Sequence, residues 1–212
     1  MKSETKTLGP FELPIPTTKT LFHLFAGGYI ALMAWEIWAR TITAWILGGP
    51  LEPPTLVISL VQAWTGVQLS LPTATFAHYT LGVVGYPVLY FIVSRMLPRW
   101  GVLLDAGVWA AFTGFLVYAL AKGQFHYGMG IFWLVVTLIT ATRLINPSSF
   151  IANCLSWGSF TWFNALGIFA PLAGLPFLLM EWGGGLSFMS YVGHVIFGFV
   201  AVYVFEKLEG NA

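Results

Sequence analysis

FAPLAGLPFLLMEWGGGLSFMSYVGHVIFGF, residues 169–199, is the stretch on which the reading of the whole chain turns. Pro171 and Pro176 interrupt the end of one apolar segment, Glu181-Trp182-Gly183-Gly184-Gly185 forms a turn, and a second apolar segment returns with His194 inside it. Two long apolar segments joined by so short a turn predict an antiparallel helical hairpin. A lipid-embedded helix excludes ionisable groups unless they serve a purpose, so His194 is a candidate functional residue.

Outward from this hairpin the chain keeps the same character. Hydrophobic residues are 58% of the 212, charged residues 8%, and the mean hydropathy is +0.80. A soluble domain carries about 25% charged residues, so this composition predicts an all-α polytopic integral membrane bundle. Ten tryptophans suit anchoring at the two headgroup layers. A formal net charge of +1 carries no nucleic-acid footprint. Cys154, the single cysteine, excludes an internal disulfide and a cysteine-rich metal cluster.

Apolar runs separated by Gly, Pro and polar breakers predict six spans, at about 21–47, 74–97, 102–121, 127–144, 152–180 and 187–205. Residues 55–71 are apolar but carry Gln62, Thr65, Gly66 and Gln68; they read as an interfacial or re-entrant helix that does not cross. Residues 1–19 form a polar, proline-containing tail without the features of a signal peptide, and 209–212 a short C-terminal tail. With this crossing pattern Lys2, Lys6, Lys19, Arg95, Arg99, Arg143 and Lys207 fall on one side and Arg40 and Lys122 on the other. The positive-inside rule then places both termini in the cytoplasm, for a protein of the bacterial inner membrane. Small residues four apart (Gly27 and Ala31; Ala106, Ala110 and Gly114) and the Gly82, Gly85 and Tyr86 face mark expected helix contacts.

Counting 1.5 Å per residue puts Glu36, His78 and His194, from three different spans, in one depth band of the outer half. Arg40, His126 and Glu181 lie above them, and His23 lies apart near the cytoplasmic face. Glu36 and Arg40 are spaced i,i+4 and can neutralise each other, and each histidine can simply bond a neighbouring carbonyl. Alternatively, Glu36, His78 and His194 offer the carboxylate and imidazole donors of a metal site. His78 and His194 could equally be the two axial ligands of a haem b, or members of a proton relay. Asp105, near a helix N-terminus, is placed to offset the helix dipole. Phosphate loops, nucleophile elbows and H-E-x-x-H are absent, and Gly183-Gly184-Gly185 reads as a hinge.

Ala77-His78-Tyr79 with Gly82 and Tyr86, then Pro171-Leu172-Ala173-Gly174, then Gly193-His194 with Phe197-Gly198, together resemble the YagU-like and related small bacterial inner-membrane families. The likeness covers the first, second, fifth and sixth spans; residues from about Lys122 to Trp157 have no counterpart in it. It implies a compact helical module with His78 and His194 as characteristic polar positions, and implies no activity. Three functions remain open on the sequence. One is a non-enzymatic membrane protein, free-standing or an accessory subunit of a larger membrane complex. The others are a haem- or metal-binding redox protein and a small transporter or proton conductor, the last suggested by the proline-broken fifth span.

Overall fold

The structure is a computed structural model, and it describes residues 14–97, 99–147 and 149–211. Among these residues every regular element is helical. Five helices are long and apolar enough to cross a membrane: α1 (Thr18–Leu47), α3 (Leu71–Met96), α4 (Trp100–Ala121), α5 (Tyr127–Ile145) and α7 (Gly184–Glu209). Between them lie α2 (Pro53–Thr65) and α6, a composite helix over 150–172 built from an α, a π-helical and a second α segment. The outside of the bundle is apolar, with Phe76, Ile131, Leu134 and Leu138 all more than half exposed. Lipid, not water, is the solvent that suits such a surface, and the chain is a helical membrane protein.

The ends of the elements reflect local chemistry. Thr17 caps α1 by accepting from the Thr20 backbone N–H at 3.1 Å, so the helix starts ahead of residue 21. Gly66, at φ +73°, ends α2, and Ser70 opens α3 as its N-cap. The segment expected at 55–71 is therefore shorter: residues 66–70 are a link, and Leu71 belongs to the next helix. His78 lies inside that helix rather than at its start. At the other end of the chain α6 stops at Leu172, well short of residue 180, where two prolines break the hydrogen-bond ladder. Phe177–Trp182 then makes a tight turn in which Leu178 and Leu179 adopt left-handed backbone, φ 53° and 55°. Leu178 is fully buried there, and its packing holds a conformation that a leucine otherwise avoids. Of the three glycines expected as a hinge, Gly183 alone lies outside a helix; Gly184 and Gly185 begin α7. Residues 1–13 of the expected N-terminal tail lie outside the described residues.

Helices α1 and α7 run antiparallel at the centre; α3 packs on α1, α6 on α7, and α4 lies between α5 and α6. Glycine allows the tightest of these approaches. A Cβ on Gly198 would sit 2.2 Å from the Gly158 backbone nitrogen, so α6 and α7 meet backbone to backbone. Gly28 approaches the Val83 carbonyl of α3 in the same way, at 2.6 Å. The small residues of α4 do not match the expectation. Ala106, Ala110 and Gly114 all point outward, and a Cβ on Gly114 would meet nothing within 4 Å. Their spacing is that of a contact face, yet the neighbours of α4 pack on its other sides.

Two ion-paired networks lock the end of the bundle that holds the start of α1 and the end of α7. Arg143 donates to Asp105 at 3.1 Å, and Ser156 donates to the same carboxylate oxygen at 2.8 Å. Asp105 thus joins α4 to α5 and α6 instead of merely offsetting a helix dipole. Glu206 accepts from Tyr90 at 2.6 Å, from Arg95 at 2.9 and 3.0 Å, and from Asn211 at 2.7 Å. His23 Nδ1 lies 2.6 Å from Glu209, tying the start of α1 to the end of α7.

Candidate functional site

Helices α1, α3, α6 and α7 diverge beneath α2 and leave a cavity of about 540 Å³. Its walls include Trp35, Leu51, Leu56, Leu60, Leu166, Phe169 and Trp182, with His78, His194, Ser190 and Tyr86 as polar members. Helix α2 is its roof. Pro53 and Pro54 start that helix, since proline lacks only a donor that the first turn would leave unused. The roof is pinned at its far end, where the Trp64 indole N–H donates to the Leu172 carbonyl at 2.9 Å. That carbonyl is one of those released where α6 breaks, so a single bond both anchors the roof and satisfies the helix end.

Three of the four walls contain a π-helical turn: 38–42 in α1, 81–85 in α3 and 163–169 in α6. Such turns bulge a helix and shift the register of the residues beyond them, and they concentrate at functional sites. Leu81, Ala165, Leu166 and Phe169 lie within these turns and line the cavity.

His78 and His194 come together here. Each ring packs edge-on to the Trp35 indole, with centroids 5.6 Å away for His78 and 5.9 Å for His194. His194 Nδ1 lies 2.8 Å from the Ser190 carbonyl oxygen, four residues back on its own helix. A carbonyl only accepts, so Nδ1 carries the proton and, in the neutral ring, Nε2 is a bare acceptor. His78 Nε2 is buried and has no hydrogen-bond partner among the described residues. A smaller recess of about 30 Å³, lined by both histidines with Trp35, Leu32, Gly82, Tyr86 and Phe197, adjoins the main cavity. Tyr86 is oriented by donating its hydroxyl to Asn164 Oδ1 at 3.0 Å.

The other candidates do not join this site. Glu36 is buried, but one of its oxygens is held by Arg40 in the i,i+4 pair and the carboxylate is not part of the cavity wall. Among the described residues no three His, Cys, Asp or Glu side chains converge to hold a metal ion. Glu36, His78 and His194 are therefore not brought together as one donor set: Arg40 holds one Glu36 oxygen, and the other is buried without a partner. His126 caps α5, accepting at Nδ1 from the Gly128 N–H at 3.1 Å. Glu181 is exposed and lies beside a separate outer groove with Phe115, Tyr118 and Gln124. A haem held by His78 and His194 would also have to make room against the Trp35 indole, on which both imidazoles pack.

Trp35 and Asn164 are missing from a reading of the sequence alone, and Tyr86 and Ser190 enter it only as residues sharing a helix face with His78 and His194. Tyr86 shares a helical face with Gly82, which points it inward but names no partner. Ser190 lies four residues before His194, the spacing of residues that share a helix face. Trp35 is one tryptophan of ten, and nothing in its neighbourhood separates it from an interfacial anchor. Compared with known proteins, the chain matches no family model, no curated protein and no solved structure.

Proposed function

We propose that this is a non-enzymatic membrane protein that holds a small apolar molecule in the cavity beneath α2. The observation that carries the reading is the cavity itself: about 540 Å³, mostly apolar, with two imidazoles, one from α3 and one from α7, in its lining. Ligand pockets are typically ~300–1,000 Å³, apolar, with few and convergent polar groups. Exposed wall residues lie at three places: Pro50, Glu52 and Thr55 where α1 passes into α2, Ala77 and Leu81 on the flank of α3, and Trp182 in the turn before α7. The second place is apolar, as an entrance from lipid would be.

The proposal includes a topology. Six crossings, with 150–172 as the fifth and α2 lying across one face, put seven of the nine Lys and Arg residues on the side of the termini. That asymmetry supports cytoplasmic termini in a bacterial inner membrane, whether the protein stands alone or serves as an accessory subunit. Kinship with the YagU-like families belongs to the same proposal and is supported by the three short motifs that include His78 and His194.

The test is binding of an environment-sensitive apolar dye to the purified protein in nanodiscs. Ala165 lines the cavity from the π turn of α6, so Ala165→Phe puts a ring into the space. Saturable dye binding by the parent and its loss in Ala165→Phe are expected. Equal binding by the two proteins refutes the reading.

A further inference from the structure

We infer that the ligand of this cavity is a lipid-soluble molecule with an aryl hydroxyl head, a phenol or hydroquinone, whose hydroxyl enters the small recess between His78 and His194. The inference rests on the cavity being a ligand site and goes on to name the chemistry.

The recess sets the chemistry of the head. About 30 Å³ is enough for a water-sized group such as a hydroxyl, and both histidines line it. His194 presents an Nε2 acceptor there, because its Nδ1 proton is committed to the Ser190 carbonyl. His78 brings an Nε2 atom that no protein group satisfies, on a ring whose tautomer no hydrogen bond fixes. The head must therefore donate to His194 and can at the same time accept from His78. A hydroxyl does both with one atom. A quinone carbonyl or an ether accepts only and offers the His194 lone pair no donor.

The walls select the body of the ligand. Trp35 and Tyr86 flank the recess, and Phe169 and Trp182 line the larger space. Aromatic walls suit a flat ring, with offset or edge-on contacts to it. A substituent on that ring would extend past Leu81 and Ala77, the exposed apolar flank of α3, toward lipid. No covalent step is implied.

Four probes carrying the same decyl chain, with decanol as a control that has the hydroxyl but no ring, test this on the purified protein in nanodiscs: a phenol, a hydroquinone kept reduced under argon, the corresponding quinone, and the methyl ether of the phenol. Affinities are read by displacement of the apolar dye. The phenol and hydroquinone should bind at least about tenfold more tightly than the quinone and the ether, the effect of one unpaired buried acceptor. His194→Phe should erase the preference while all four probes still displace dye, and His194→Gln, which restores a carbonyl acceptor, should recover part of it. Decanol binding as tightly as the decyl phenol overturns the aryl assignment. Equal affinity for phenol and ether overturns the hydroxyl assignment. If dye binds but none of the four probes displaces it, the ligand class is wrong and the cavity reading stands; if the dye itself fails to bind, the cavity reading is what fails.

Discussion

Replacing Arg143 by leucine strips the cation from a carboxylate that has nowhere to find water. Asp105 is 3% exposed and Arg143 2% exposed, so neither partner can turn to solvent when the other is lost. Removing one member of a buried pair costs about 3–5 kcal/mol, because the remaining charge is left uncompensated. Asp105 keeps the Ser156 hydroxyl at 2.8 Å, which places the expected loss near the lower figure, about 3 kcal/mol. The bonds from Arg143 to the Asn146 and Ser149 carbonyls are 3.4 Å long and add little. Asp105→Leu leaves the guanidinium with the Asn153 amide oxygen and the two long carbonyl contacts but without a counter-charge, and should cost a similar amount. The double variant has no charge to strand. It should be no less stable than either single variant, a coupling of about 3 kcal/mol. The assay is equilibrium unfolding in mixed micelles with rising dodecyl sulfate, monitored by tryptophan fluorescence. Additive losses in the double variant would refute the reasoning, since they would show that the two side chains act independently.

Two further outcomes are expected. Gly198→Ala should lower stability by about 1–3 kcal/mol in the same assay, because its Cβ meets immovable backbone of Gly158, whereas Gly114→Ala should cause no loss; equal effects at the two sites contradict the packing described. Cys154 is fully buried and leaves a silent background for labelling. An impermeant maleimide applied to intact cells should then modify Glu52→Cys and spare Lys207→Cys, both at exposed positions, and the opposite pattern rules out the orientation.

Most of the helices were legible because lipid demands long apolar runs and because glycine and proline mark where they stop. Residues 66–70 escaped, since their apolar content continues that of α2 and only Gly66 signals the break. The left-handed Leu178 and Leu179 could not be read at all: leucine carries no signal for positive φ, and tertiary packing imposes it. His78 and His194 stood out as ionisable groups in apolar spans, and both line one cavity, from α3 and α7. Glu36 stood out for the same reason, but a local partner four residues away already answers for it. Asp105 and Arg143 looked like independent charges at helix ends because 38 residues separate them. The outward face of α4 shows the limit of spacing arguments: period four identifies a face, and only the neighbours decide whether anything packs there.

The π turns at 38–42, 81–85 and 163–169 imply something about descent. A π turn is what a helix becomes when one residue is inserted and both ends stay packed, and each insertion turns the next segment by about 100° relative to an uninterrupted helix. The turns at 81–85 and 163–169 border the hollow and the one at 38–42 follows Trp35 of its lining, an arrangement that a bundle of regular helices would acquire if opened one residue at a time. A relative that retained the unopened bundle would align with this chain only if a single-residue gap were allowed in each of these three places. Its helices should superpose on α1, α3 and α6 on both sides of the gaps once they are allowed, and on one side alone without them.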